Sequence, residues 1–314
     1  MTPVHTLPLP DCGTHFVTPL VPVQLAPQRP VIWAKLEYLN PSGSAKDRIA
    51  RFILEKAWRE GHVGPGSLVI EASSGSTSIA MALVCAQLGM RFMAVMPEGV
   101  SNERVLIVRA YGGQIRVTPQ AHGIVGAIAE TERIALETNA FLPRQFSNPD
   151  NALAHQVNTA REILHQIPTV DAVVSGVGTG GTLMGLFEGF RLAGCRVRPV
   201  FARPVTVTGN LTGPPEAECC SFSSRIPGVA DRVSTIFDES ALPGLRMLEI
   251  NDTQALVTSR QLIAAGYPVG PSSGLNYEAA EQIARELGPQ ARVVTVFPDR
   301  MERYFTTELF TPYR

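Results

Sequence analysis

The chain has 314 residues, 45% hydrophobic and 18% charged, with 27 basic and 28 acidic side chains and a net charge of −1. This excludes a disulfide-stapled mini-protein and a disordered chain. At roughly 100–200 residues per domain it allows two domains or one large α/β unit. The charge balance lacks the basic excess of a nucleic-acid surface.

Residues 1–29, rich in Pro and Thr, read as an extended lead-in without the basic and apolar regions of a signal peptide. β-Branched and aromatic residues predict a strand over 31–36. A turn follows at Asn40-Pro41-Ser42-Gly43-Ser44. Ile49, Phe52, Ile53, Ala57 and Trp58 then recur at helical spacing, up to Gly61. A short strand over 68–70 runs into a hydroxyl-rich loop and an apolar helix over 79–88. Residues 91–96 read as a strand. Ser101 reads as the cap of a helix ended by Gly112-Gly113, followed by a strand over 114–117 and a helix over 124–137. A loop at 143–150 precedes a helix over 152–165.

A strand over 172–174 leads through a glycine-rich loop into a helix over 183–192. Residues 196–201 are strand-like despite Pro199. Residues 203–227 read as a long surface excursion. Helices near 252–265 and 274–287 and a strand over 293–297 complete the pattern. The alternation predicts a parallel sheet with helices on both faces. No run reaches about 18 apolar residues, so no transmembrane helix is expected. The five cysteines are irregularly spaced with no CxxC, as expected for reduced thiols of a cytoplasmic protein. The six histidines form no HxxxH or HxH, so no metal site is expected.

Ligands of open α/β sheets sit beyond the carboxyl ends of the strands. Three unusual loops fall there. In 176–182, four glycines between a strand and a helix let backbone N–H groups converge on an anion. No Gly-Lys-Ser/Thr follows, so it is not a Walker loop. No acidic residue lies about 20 positions on to hold a ribose, which leaves a small phosphorylated ligand or a plain tight turn. The second loop, Ser73-Ser74-Gly75-Ser76-Thr77, suits a carboxylate at a helix start or serves as an ordinary cap. The third, Gly270-Pro271-Ser272-Ser273-Gly274, allows the same two readings.

The chain has only three lysines, Lys35, Lys46 and Lys56. Lys46 follows a Ser-Gly-Ser turn at a helix start, where the dipole disfavours its charge. If it is also desolvated, it becomes a nucleophilic amine of the Schiff-base kind; otherwise it is a solvated surface lysine. Lys35 reads as a surface or strand-edge lysine and Lys56 as part of a solvated helix face.

Together these pieces resemble the cysteine synthase (O-acetylserine sulfhydrylase) family of fold-type II pyridoxal-phosphate enzymes. Lys35-Leu36-Glu37 with Asn40-Pro41-Ser42-Gly43-Ser44-Ala45-Lys46-Asp47-Arg48 resembles its cofactor-lysine motif. The loop Ser73 to Thr77 resembles its Thr-Ser-Gly-Asn-Thr substrate loop, and Gly178-Thr179-Gly180-Gly181-Thr182 its phosphate loop. Gly270 to Gly274, Gln145-Phe146, Asn148-Pro149-Asp150-Asn151 and Arg303-Tyr304-Phe305 fit further blocks. Met96-Pro97, Ser101-Asn102-Glu103-Arg104 and Ile226-Pro227-Gly228 look most like the B type.

The resemblance implies a tryptophan synthase β-like fold with two three-layer α/β/α domains and mostly parallel twisted sheets. Residues 41–150 would form a smaller, mobile domain, and 1–40 with 151–314 a larger one that binds the cofactor. It implies pyridoxal 5′-phosphate as cofactor, with Lys46 as its Schiff-base partner. Gly178, Thr179, Gly180, Gly181 and Thr182 would hold its phosphate, Ser272 its ring nitrogen, and Ser76 would stand at its 3′-oxygen. Ser73, Ser74, Gly75, Thr77 and Gln145 would hold the amino acid's carboxylate.

The implied reaction is β-replacement through an aminoacrylate: L-cysteine from O-acetylserine or another activated serine and a sulfur donor, in a homodimer. Cysteine desulfhydration, β-substitution by an amine nucleophile, and non-catalytic cofactor binding are the alternatives. Arg225 reads as a surface arginine rather than a phosphate reader. Three departures stand out. Ser76 replaces an Asn, Ser78 replaces a Gly, and Phe201-Ala202-Arg203-Pro204 lacks the family's Val-Glu-Pro.

Overall fold

The computed structural model describes residues 17–73, 75–206, 225–229 and 233–314. The chain starts with strand β1 (Leu20–Val23), strand β2 (Ile32–Lys35) and helix α1 (Lys46–Arg59). It continues with β3 (Leu68–Ala72), α2 (Ser76–Gln87), β4 (Arg91–Pro97), α3 (Asn102–Ala110), β5 (Gln114–Thr118) and α4 (Gly123–Thr138). Next come α5 (Asp150–Ala154), a π-helical turn (His155–Ala160), α6 (Arg161–Gln166), β6 (Ala172–Ser175), α7 (Gly181–Leu192) and β7 (Arg198–Val205). Strand β8 (Arg246–Asn251), α8 (Asp252–Ala264), α9 (Pro271–Leu287) and β9 (Val293–Val296) follow.

Two sheets result. One has the order β1-β2-β9-β6-β7-β8 and is parallel except for the β1–β2 pair. The other is a parallel sheet, β3-β4-β5. Strands β6 and β9 are buried at every residue, as expected of apolar strands covered on both faces. In the smaller sheet, alternation sorts the side chains between two faces. Val69, Phe92, Ala94 and Met96 pack with Leu54, Ile79 and Val108 from α1, α2 and α3. Ile70, Ala72 and Val95 face Ala127 and Ile134 of α4. Parallel pairing sends the loops after β3, β6 and β9 to the strands' carboxyl ends, which places the site there. Among the described residues, no helix is long and apolar enough to cross a membrane.

Several local expectations change. The lead-in contains β1, an antiparallel edge strand, and β8 was not foreseen. Strand β7 tolerates two prolines because each sits where one neighbour is missing. Pro199 registers with Val173 of β6 before the β8 pairing starts at Val200. Pro204 registers with Ile250 of β8 after the β6 pairing has ended at Phe201. The helix expected over 152–165 is α5 and α6 joined by the wider π turn. Ser101 makes no side-chain cap; its hydroxyl donates instead to the Arg303 carbonyl, 3.4 Å away. Most of the excursion after β7, residues 207–224, lies outside the described residues.

Lys35 is not a surface or edge lysine. Strand β2 is paired on both sides, and the Lys35 side chain is fully buried, with its amine 2.6 Å from Glu162. Arg48 joins the same cluster, at 2.6 Å from both Glu37 and Glu162, and the Thr18 hydroxyl donates to Glu37. Lys56 pairs with Asp150 at 2.8 Å. Burial opposes charge on Glu37, but Arg48 outweighs it and holds the carboxyl down at about 2. A carboxylate with a depressed pKa stabilises the fold above its ordinary value and loses that contribution as pH falls through the folded value. Replacing Glu37 with Gln is expected to cost about 3 kcal/mol at neutral pH, since one partner of a buried pair is lost. In urea melts, the gap between wild type and variant should close as pH drops from 4.5 toward 2.

Candidate active site

A cleft of ≈ 200 Å³ opens at the carboxyl ends of both sheets. Lys46, Ser73, Gly75, Ser76, Thr77, Gln145, Gly178, Thr179, Gly180, Thr182 and Ser272 all line it. Residues separated by over 200 positions thus meet in one place. Gly181 lies just behind the wall, buried as the first residue of α7. Ser74 lies outside the described residues.

Lys46 is placed by the turn before it. The Ser42 N–H donates to Asp47 Oδ2 at 2.6 Å, and the Ser42 hydroxyl donates to Asp47 Oδ1. The Arg303 guanidinium donates to the carbonyls of Ser42 and Gly43, the latter at 2.9 Å. Ala45 N–H donates to the Pro298 carbonyl at 2.8 Å. The amine therefore starts from a rigid backbone at the first residue of α1, the positive end of the helix. Lys46 is half-buried, and loss of hydration pushes its pKa down, while Asp299 and then Glu37 oppose that shift. This is not the solvated lysine that was the other reading of position 46.

The loop after β3 is tied internally. The Ser73 hydroxyl oxygen accepts from the N–H of Gly75 at 3.1 Å and of Ser78 at 3.3 Å. A hydroxyl that accepts twice still has its own proton to give. The Thr77 hydroxyl donates to Gln145 Oε1 at 2.6 Å, and Gln145 Nε2 donates to the Ala72 carbonyl at 2.7 Å. Glu71 lies beneath and accepts from the N–H of Gln145 at 3.0 Å and of Ala72 at 2.9 Å. Burial pushes its carboxyl up to about 8, against the two N–H bonds it accepts. The start of α2 adds its positive end, which suits a carboxylate.

The loop after β6 explains its glycines. A Cβ on Gly178 would sit 2.2 Å from the Gly228 carbonyl oxygen. Gly180 has φ +82°, and a Cβ there would meet Phe237 at 2.6 Å. Thr179 Oγ1 accepts from Asn151 Nδ2 at 2.9 Å and from Gly181 N–H at 3.3 Å, which leaves its proton to donate. Thr182 meets His155 Nε2 at 3.2 Å, and burial pushes His155 down to about 3, so the imidazole is neutral. The loop at 270–274 is the beginning of α9, with Pro271 as its first residue.

This donor set fits pyridoxal 5′-phosphate. A lysine whose pKa burial lowers shares the cleft with a glycine-lined helix start that has spare hydroxyl donors, and Ser272 lines the same cleft. The residues missed in the sequence are Asp299, Asn151, His155 and Arg104. Asp299 lines the cleft and binds Ser76. Arg104 also lines it, with its guanidinium 5.1 Å from the Tyr304 ring centroid. Asn151 and Arg104 sit inside blocks whose resemblance was visible; Asp299 had no such signal. Arg225 is engaged by Asp252 and Glu308 and does not line the cleft.

Comparison with known proteins agrees with this geometry. The family profile described as "Pyridoxal-phosphate dependent enzyme" matches residues 13–299. A cysteine synthase of Staphylococcus aureus is 38% identical over 285 residues, covering 89% of each chain. Cysteine synthase B of Campylobacter jejuni is 35% identical, covering 89% of this chain and 91% of its own. A crystal structure of O-ureido-L-serine synthase superposes with a TM-score of 0.83 at 34% identity, covering 93% of this chain and 92% of that one. An O-acetylserine dependent cystathionine beta-synthase from Helicobacter pylori superposes with a TM-score of 0.81 at 30% identity, covering 93% and 95%. The chain belongs to the pyridoxal-phosphate dependent enzymes and, among them, to the cysteine synthase family.

Proposed function

We propose that this enzyme replaces the leaving group on the β-carbon of an activated L-serine, O-acetylserine first, with sulfide, and so makes L-cysteine. One observation carries the reading: the Lys46 amine shares a cleft with a carboxylate-suited helix start on one side and a phosphate-suited glycine turn on the other. When bound, pyridoxal phosphate supplies an electron sink for the substrate's α-carbon. Lys46 Nζ, kept low in pKa by burial, takes and returns the α-proton. Ser73, Gly75, Thr77 and Gln145 orient the carboxylate so that the α-hydrogen faces that amine. Ser272 offers the ring nitrogen a neutral partner, which keeps the sink weak and favours prompt loss of the β-substituent.

The name of the Helicobacter pylori neighbour supports O-acetylserine as substrate, and the cysteine synthase relatives support sulfide as nucleophile. The family resemblance supports a homodimer working in the cytoplasm, with residues 41–150 closing over the larger part of the chain. All strands of the smaller sheet fall inside that range. A second reading, release of sulfide from cysteine, is favoured by Ser76, whose loop resembles those of cysteine-degrading relatives.

Turnover on O-acetylserine, phosphoserine and cysteine, each with and without sulfide, separates the readings. Cysteine formed from O-acetylserine and sulfide is expected. Pyruvate from cysteine alone, with no synthesis, would establish the second reading instead. Replacing Lys46 with Ala should lower turnover by about 10³-fold, within the range of lost acid–base catalysis. Replacing Gly178 with Ala forces a Cβ against the Gly228 carbonyl. Overpacking of this kind costs about 1–3 kcal/mol, so affinity for pyridoxal phosphate should fall about 10-fold or more in an absorbance titration.

A further inference from the structure

We infer that Asp299 is a positioning residue of the cofactor site: its carboxylate accepts a hydrogen bond from the Ser76 hydroxyl and stands as the counter-charge to the Lys46 amine. The inference rests on Lys46 being the cofactor's attachment point.

The backbone around Asp299 is bonded to both neighbouring loops. Its carbonyl accepts from Gly270 N–H at 3.0 Å, and Asp299 forms an antiparallel bridge with Ser44, two residues before Lys46. The side chain is 6% exposed and lines the cleft. Oδ2 accepts from the Tyr304 hydroxyl at 2.7 Å and from the Ser76 hydroxyl at 3.1 Å. Oδ1 is buried and has no hydrogen-bond partner among the described residues.

Two consequences follow from elementary chemistry. A serine has one hydroxyl proton. With that proton donated in the bond to Asp299, Ser76 presents only lone pairs to the cleft. An Asn at the same place would offer two N–H donors as well. Ser76 therefore cannot imitate the family's Asn alone, and the Ser76–Asp299 pair acts as a unit.

The second consequence concerns charge. A buried carboxylate held only by hydroxyls calls for a cation. Burial pushes Tyr304 up, so it remains a neutral donor. The charged or titratable groups acting on Lys46 are Asp299 from the loop after β9, Glu37 from the turn after β2, and His155 from the π turn. Glu37 is neutralised by Arg48 at 2.6 Å, and His155 is uncharged. Of these two carboxylates, Asp299 is the one left to balance the amine; Glu98 and Arg104 also line the cleft, Arg104 against the Tyr304 ring.

The test uses the full-length chain freed of cofactor. Trace labelling with an amine reagent across a pH series, read by peptide mass spectrometry, follows Lys46 and Lys56 separately, while Lys35 is shielded by burial. Asp299→Asn keeps an oxygen acceptor for Ser76 and Tyr304 but removes the charge. Its Lys46 midpoint should fall by about one pH unit, the size expected for loss of a nearby opposite charge. Lys56 should not move. A merely structural role would leave the Lys46 midpoint in place, and an unmoved midpoint overturns the inference. Asp299→Ser, read in the same way, serves if the Asn variant does not accumulate. Borohydride reduction of wild type loaded with pyridoxal phosphate keeps the two claims apart. Label on another lysine defeats the attachment point itself, whereas label on Lys46 with an unmoved midpoint defeats only the role of Asp299.

Discussion

Everything at the cleft depends on how the turn before α1 is held. Asp47 binds the turn from within, and Arg303 binds its carbonyls from near the other end of the chain. Neither residue touches the space where a ligand would sit. Their effect is to make Lys46 the first residue of a helix rather than the tip of a loop. A long flexible side chain loses about 2 kcal/mol of rotamer freedom when fixed, so a mobile base beneath it would leave the amine poorly aimed. Asp47 itself is pushed up to about 6 by burial despite its bonds to Ser42. Both oxygens of this carboxyl accept from Ser42, so the turn is anchored by a pair of hydrogen bonds.

The chain buries charge in two different ways within a short distance. Around Arg48, two carboxylates meet two cations, with several bonds at 2.6–2.8 Å. That cluster is internally paired and lies outside the lining of the cleft that holds Lys46. It joins β2, α1 and α6 and therefore ties the lysine helix to the larger sheet. At the cleft the matching is incomplete. Among the described residues, Asp299 has one oxygen without a partner, Lys46 has lost hydration without a close ion pair, and several hydroxyls keep a spare proton. Buried polar groups left open are costly. An open carboxylate oxygen at the wall of a cleft is a place where a ligand can supply the missing partner.

Much of the fold could be read before any coordinates. The strands β3, β4, β5, β6 and β9 are short runs rich in β-branched or other apolar residues, and most helices carry apolar runs or period-3.6 patterns, which are local properties of the chain. What could not be read depends on partners far away in sequence. Strand β1 carries Pro22 within a proline-rich stretch and exists because β2 pairs with it. The π turn at His155–Ala160 has the composition of an ordinary helix. Lys35 looked like a surface residue because its partner Glu162 is 127 positions away. The site shows the same division. Glycine and hydroxyl loops at strand ends were visible one by one, and a joint resemblance brought them together. Asp299 was invisible because its meaning comes from Ser76, 223 positions earlier.

The open donors also order the ligand along the cleft. Negative charge is favoured at both ends, by the starts of α2 and α7 with their spare hydroxyl protons. Asp299, bonded to Ser76 at the first residue of α2, adds a carboxylate on that side of the cleft. The two helix starts are therefore not equivalent: α7 meets an anion with a glycine turn and spare hydroxyl protons, whereas α2 meets it with a carboxylate close by. A carboxamide at 76 would leave Asp299 with Tyr304 as its one hydroxyl donor, so residues 76 and 299 constrain each other's chemistry across the two sheets.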